Sequence, residues 1–132
     1  MIVLDTHVLI WWVSGATEQL STAAQQAIRQ EMEHGKIVVS SISAWELAML
    51  VTKGRLALSM DVAEWLGCVG QIESVSFVPV DNTIAVKSTE LPSEFHKDPA
   101  DRLIVATARR LAAPLVTADE KIRAYPHVRT IW

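Results

Sequence analysis

The chain has one cysteine, Cys68. A single thiol permits no internal disulfide, excludes a cysteine-built zinc site and suits a reducing compartment, so a cytoplasmic protein is expected. No apolar run approaches the roughly 20 residues that a membrane span requires, so no membrane partner is expected. The opening Met1-Ile-Val-Leu-Asp5 lacks the basic stretch and cleavage site of a signal peptide and reads instead as a first strand. An excess of basic charge is also missing. With 15 acids against 12 bases the net charge is −3, which is not the balance of a passive nucleic-acid binder. That balance still allows a nuclease, because a bound divalent cation adds positive charge where phosphate must sit. There is no repeat, no low-complexity run and no linker, so residues 1–132 read as a single domain. Half of the residues are hydrophobic, enough to build a core and too many for a disordered chain.

Short apolar runs alternate with helical patterns. Strands are expected at Ile2 to Leu4, Ile37 to Ser40, Val75 to Val80 and Leu115 to Thr117, with a final edge strand at Val128 to Ile131. Helices are expected from Thr6 to Val13, from Ser21 to about Glu33 with Ala24, Ala27, Ile28 and Met32 inward, from Ser43 to Val51, and from Asp61 to about Ile72. A short helix capped by Asp81 or Asn82 reaches Ser88. Asp98-Pro99 opens the strongest helix, which extends to Leu111, and Asp119 to Ala124 forms a last short one. Strands alternating with helices give a mainly parallel sheet covered on both faces, a three-layer α/β/α sandwich.

Four acidic residues stand beside the apolar segments. They are Asp5 after Ile2-Val3-Leu4, Glu46 after Ile37-Val38-Val39, Asp101 beside Arg102-Leu103-Ile104-Val105, and Asp119 after Leu115-Val116. Ligand sites of parallel sheets form beyond the carboxyl ends of the strands, so these carboxylates are expected to meet. Like charges held that close repel unless a proton or a cation intervenes, and oxygen ligands suit a hard ion such as Mg²⁺. Such a centre points to phosphate-ester chemistry.

Each acid has a local rival explanation. Asp5 can be a helix N-cap alone. Ser43-Ala44-Trp45-Glu46 is a capping box, with Ser43 at N-cap and Glu46 at N3. Asp98 reads mainly as the cap of the helix that Pro99 starts, which leaves Asp101, at N3, as the better metal ligand. Thr117 can cap the last helix with Glu120 as its N3 partner, leaving Asp119 free. His7 and His96 read either as ligands or bases or as ordinary hydrogen-bonding histidines. Lys97, Arg102, Arg109, Arg110, Lys121 and Arg123 crowd the last third, as a solvated face or a phosphate-facing rim. Arg102 in particular either contacts a phosphate or pairs with Asp98 or Glu94. Trp45 is expected in the core, and one of the adjacent Trp11 and Trp12 is expected at a partner surface.

Taken in order, these segments resemble the PIN domain, and most closely the VapC-type toxins of toxin–antitoxin pairs. The likeness covers the whole chain. It rests on Met1-Ile-Val-Leu-Asp5-Thr6-His7, on Ser40-Ser41-Ile42-Ser43-Ala44-Trp45-Glu46, on Leu115-Val116-Thr117-Ala118-Asp119, and above all on His96-Lys97-Asp98-Pro99-Ala100-Asp101-Arg102. The resemblance implies a Mg²⁺- or Mn²⁺-dependent ribonuclease whose acidic quartet is Asp5, Glu46, Asp101 and Asp119, with Asp5 and Asp101 the direct ligands. It places Thr117 at the hydroxyl position beside the last acid. It further implies an RNA substrate, a cognate antitoxin and a homodimer. Many members carry asparagine or serine where His7 stands, which leaves position 7 open.

Two phosphate-transfer folds of similar architecture fit less well. A receiver domain needs paired acids after its first strand and a lysine after its last, and an aspartyl-nucleophile enzyme needs a second aspartate where His7 stands. A non-catalytic interaction domain on the same fold remains the strongest rival, and the intact acids speak against it.

Overall fold

A computed structural model describes all 132 residues. The order is β1 (Ile2–Leu4), α1 (Thr6–Val13), a 3₁₀ turn (Thr17–Gln19), α2 (Thr22–His34), β2 (Ile37–Ser40), α3 (Ser41–Thr52), α4 (Val62–Gly70), β3 (Val75–Val78), α5 (Asn82–Thr89), α6 (Pro99–Arg110), β4 (Leu115–Val116), α7 (Glu120–Ala124) and β5 (Thr130–Ile131). Five strands form one sheet in the order β3-β2-β1-β4-β5, and every pairing is parallel. The expected α/β/α sandwich is what forms.

Alternation along the strands divides the core in two, because successive side chains leave a strand on opposite faces. Ile2 and Leu4 pack with Leu9, Ile28, Leu47 and Val69 on one face. Val3 and Val38 pack with Ile84, Ile104, Leu115 and Ile122 on the other. β1 lies at the centre, paired with β2 through Ile2 and Ile37 and with β4 through Val3 and Leu115. Successive strands run outward from β1 to β3, and the chain then returns to β1's other side with β4. The carboxyl ends of β1 and β4 therefore flank the point where strand order reverses, the crevice in which open α/β sheets place their ligands.

Several local expectations are corrected. Helix α3 starts at Ser41, and its N-cap is Ser40, whose hydroxyl accepts from the Ile42 amide. The capping box on Ser43 does not form. Helix α4 stops at Gly70 rather than Ile72, and β3 stops at Val78, before Pro79, whose missing N–H cannot extend the ladder. Met32 is exposed rather than inward. Trp45, expected in the core, is 58% exposed. Trp11 and Trp12 are both half-buried, so neither stands alone at the surface.

Candidate metal centre

Asp5 follows the last residue of β1 and is buried. It occupies the N-cap position of α1, yet its carboxylate does more than cap. Oδ1 accepts from the Thr6 amide at 2.8 Å. Oδ2 accepts from the Thr117 hydroxyl at 2.6 Å. Thr117 follows β4, so this bond spans the point of strand reversal. The same Thr117 oxygen accepts from the Asp119 amide at 3.0 Å.

That arrangement corrects the reading of the last acidic segment. Thr117 does not cap α7. Asp119 does, with Oδ1 accepting from the Ile122 amide. A carboxylate has about four lone-pair positions, so one cap bond leaves Asp119 capacity for a cation.

Glu46 reaches the cleft from the first turns of α3. Its Oε1 accepts from the Thr6 hydroxyl at 2.5 Å. The Thr6 and Ser43 hydroxyls lie 2.8 Å apart. Ser43 is thus spent on Thr6, which explains why Ser40 takes over the cap. Asp98 caps α6 as expected, its Oδ1 accepting from the Asp101 amide, and Pro99 opens the helix. Asp101 then projects from the first turn into the same space.

Asp5, Glu46, Asp98, Asp101 and Asp119 together line one cleft of about 400 Å³, with His7, Val8, Trp11 and Ala118. All four expected acids converge, from four separate parts of the chain. No lysine or arginine lines the cleft itself. Arg109 donates instead to the His127 carbonyl. Arg102 fits neither of its expected roles. Its guanidinium donates to the carbonyls of Ser88, Phe95 and His96, at 2.8, 3.1 and 3.3 Å. It straps the α5–α6 loop to α6. Arg102→Ala should therefore cost about 2 kcal/mol through unsatisfied carbonyls. A lowered urea midpoint at unchanged slope checks this.

The electrostatics follow from burial first and from crowding second. Burial pushes the Asp5 carboxyl up, against the hydrogen bonds from Thr117 and Thr6. Glu46 is raised for the same first reason, opposed by Thr6 and assisted by Asp5 and Asp98. Asp101 is pushed up to about 8, by burial first and then by the charges of Asp5, Asp98, Asp119 and Glu46. Clustered carboxylates that resist ionisation and offer hard oxygens fit a divalent cation. His96, Asp101 and Asp119 each place a ligand atom within 4.8 Å of the others. Sequence reasoning left His96 open. Its position five residues before Asp101, across a short loop, was the available signal.

The PIN-domain family model matches residues 2–128. The chain belongs to the PIN-domain family. Ribonuclease VapC22 of Mycobacterium tuberculosis (strain ATCC 25618 / H37Rv) is 41% identical over 133 residues, which cover 99% of this chain and 98% of that protein. The PIN fold is also seen in VapBC2 from Rickettsia felis bound to a promoter DNA fragment, at TM-score 0.72 and 19% identity over 98% of this chain and 97% of that one. A toxin–antitoxin complex from Klebsiella pneumoniae matches at TM-score 0.65 and 22% identity, over 97% of this chain and 95% of that one. At these identities the two structures speak for the PIN fold alone.

Proposed function

We infer that this PIN-domain chain is an endoribonuclease that hydrolyses RNA phosphodiester bonds with a carboxylate-held Mg²⁺ or Mn²⁺, as the toxin of a toxin–antitoxin pair. One observation carries the chemistry: the acids that follow β1 and β4 and those on α3 and α6 share a cleft lined by no lysine or arginine. Whole-length similarity to a ribonuclease supports the substrate class. Likeness to a toxin–antitoxin complex supports an antitoxin partner. No helix is long and apolar enough to cross a membrane, which fits a cytoplasmic site of action. Exposed Trp45 and Val86 fit a chain that associates, with the antitoxin or with a second copy as a homodimer.

Asp5 and Asp101, with Asp119 beside them, would hold the cation. When bound, it supplies positive charge to the scissile phosphate and acidity to an attacking water. The chain's own groups provide the rest. Thr117 and the Thr6 amide fix both oxygens of Asp5, so that carboxylate is oriented before any ligand arrives. Thr6 holds one oxygen of Glu46 and leaves the other to accept from water and aim it. Attack by water leaves the RNA 2′-hydroxyl idle, so the choice of RNA over DNA rests on contacts along the groove.

Purified protein incubated with cellular RNA should cleave it when Mg²⁺ or Mn²⁺ is present, stop with EDTA, and leave no 2′,3′-cyclic phosphate. Cyclic ends, or cleavage that survives the chelator, would refute this mechanism. Mn²⁺ titration separates the rival interaction domain, which should release no carboxylate-dependent heat.

A further inference from the structure

His96 has no task in the chemistry above, yet it is held in place. Arg102 binds the carbonyls of Phe95 and His96. The Phe95 ring meets His96 edge-on at 4.4 Å between centroids and packs on Tyr125 at 4.5 Å. Tyr125 in turn donates to the Pro92 carbonyl. The loop is thus pinned at both ends, and the imidazole is fixed with it.

The ring nitrogen Nε2 lies 3.1 Å from Asp101 Oδ2. That is ion-pair distance, but the two are not aligned as a hydrogen bond, and Nε2 is buried with no hydrogen-bond partner. A buried ring nitrogen without a hydrogen bond calls for a reason. Two ligand atoms at this distance can share a third atom between them as well as pair with each other. Neighbouring ligands of a six-coordinate ion at about 2.1 Å stand about 3 Å apart, which is the spacing seen here. A carboxylate oxygen of Asp119 completes the group, all three atoms lying within 4.8 Å of one another.

We propose that His96 Nε2 is a nitrogen ligand of this chain's cation, joining the oxygens of Asp101 and Asp119. The proposal rests on the metal-dependent reading of the cleft. It makes the centre a mixed nitrogen–oxygen site. Such a site favours transition-series ions over Mg²⁺, because imidazole binds them through its lone pair whereas Mg²⁺ takes oxygen.

The experiment is electron spin-echo spectroscopy of the full chain loaded with Mn²⁺, with and without ¹⁵N-labelled histidine. One directly coordinated imidazole nitrogen is expected, its coupling changing with the isotope. The coupling should vanish in His96→Gln and survive in His7→Gln, the control because His7 lines the cleft. Isothermal titration should show the Mn²⁺-over-Mg²⁺ preference falling about tenfold in His96→Gln. Mn²⁺ bound with no nitrogen coupling overturns the proposal and leaves the carboxylate site standing, as does a coupling lost in His7→Gln. Both results are read without His96→Gln, so they stand even if that variant folds poorly. Failure to bind Mn²⁺ at all overturns the metal-dependent reading along with it.

Discussion

Asp101→Asn should lower RNA cleavage by about three orders of magnitude or more while leaving the metal-free protein at least as stable as the parent. The loss of activity follows from removing a charged oxygen at the point where the cation and the scissile phosphate must meet. The stability result has a separate cause. Asp101 accepts no hydrogen bond through its carboxylate in the fold, and the one close contact of that group is the His96 ring, Nε2 standing 3.1 Å from Oδ2. Its amide is used by Asp98, and its carboxyl is pushed up to about 8 by burial and by four neighbouring acids. Asparagine keeps the shape and removes the repulsion. Thermal melting in EDTA, set beside cleavage at saturating Mn²⁺, checks both halves. Retained turnover would remove Asp101 from the centre. A large drop in melting temperature would mean that its carboxylate has a structural partner.

Asp5→Asn should behave differently, although both acids face the same cleft. Asp5 accepts from Thr6 and from Thr117. An amide presents one oxygen where the carboxylate presents two, so one of these buried donors loses its acceptor. That costs about 1–2 kcal/mol on top of the lost activity. Two aspartates with one catalytic fate are thus told apart by their effect on folding. Melting curves of the two variants in EDTA show the split directly.

The reach of the sequence can be judged at particular residues. The strands were legible because apolar runs of three or four residues between helical patterns admit few other readings. The meeting of Asp5, Glu46 and Asp119 was legible because a parallel sheet collects the carboxyl ends of its strands at one edge, whereas Asp101, in the first turn of α6, follows no strand. Asp98-Pro99 was legible because cap and proline are both local signals. What failed were choices among equivalent neighbours. Ser40, Ser41 and Ser43 are all competent caps, and the winner depends on Thr6, which takes Ser43 from another strand's end. Thr117 and Asp119 are both competent caps for α7, and Asp5 decides between them by taking the Thr117 hydroxyl. Arg102 looked free because its partners are backbone carbonyls, which every residue carries and no pattern marks. Trp45 looked like core because helix α3 is apolar nearly all round, which leaves no stripe to show which side faces out.

Without a divalent cation the protein should lose stability as pH rises from about 4 to about 8, the reverse of what paired carboxylates produce. Asp5, Glu46 and Asp101 are all raised above their ordinary values. Within that window the folded chain keeps protons that the unfolded chain has released. Stability therefore falls with pH. The contribution is whole below the unfolded carboxylate range and is lost as pH climbs through about 8, the value for Asp101. A cation competes for the same oxygens, so its binding strengthens as the protons leave. Added Mn²⁺ should stabilise the fold little at acid pH and most near pH 8. The metal-free loss should reach about 1–2 kcal/mol, or roughly 5 °C in melting temperature for a chain of this size. Asp101→Asn serves as the internal control, because it removes the group with the highest value. Its metal-free melting curve should be flatter between pH 5 and 8 than the parent's. Parallel curves for parent and variant, or a Mn²⁺ effect independent of pH, would mean that these carboxylates neither hold protons in common nor surrender them to an ion.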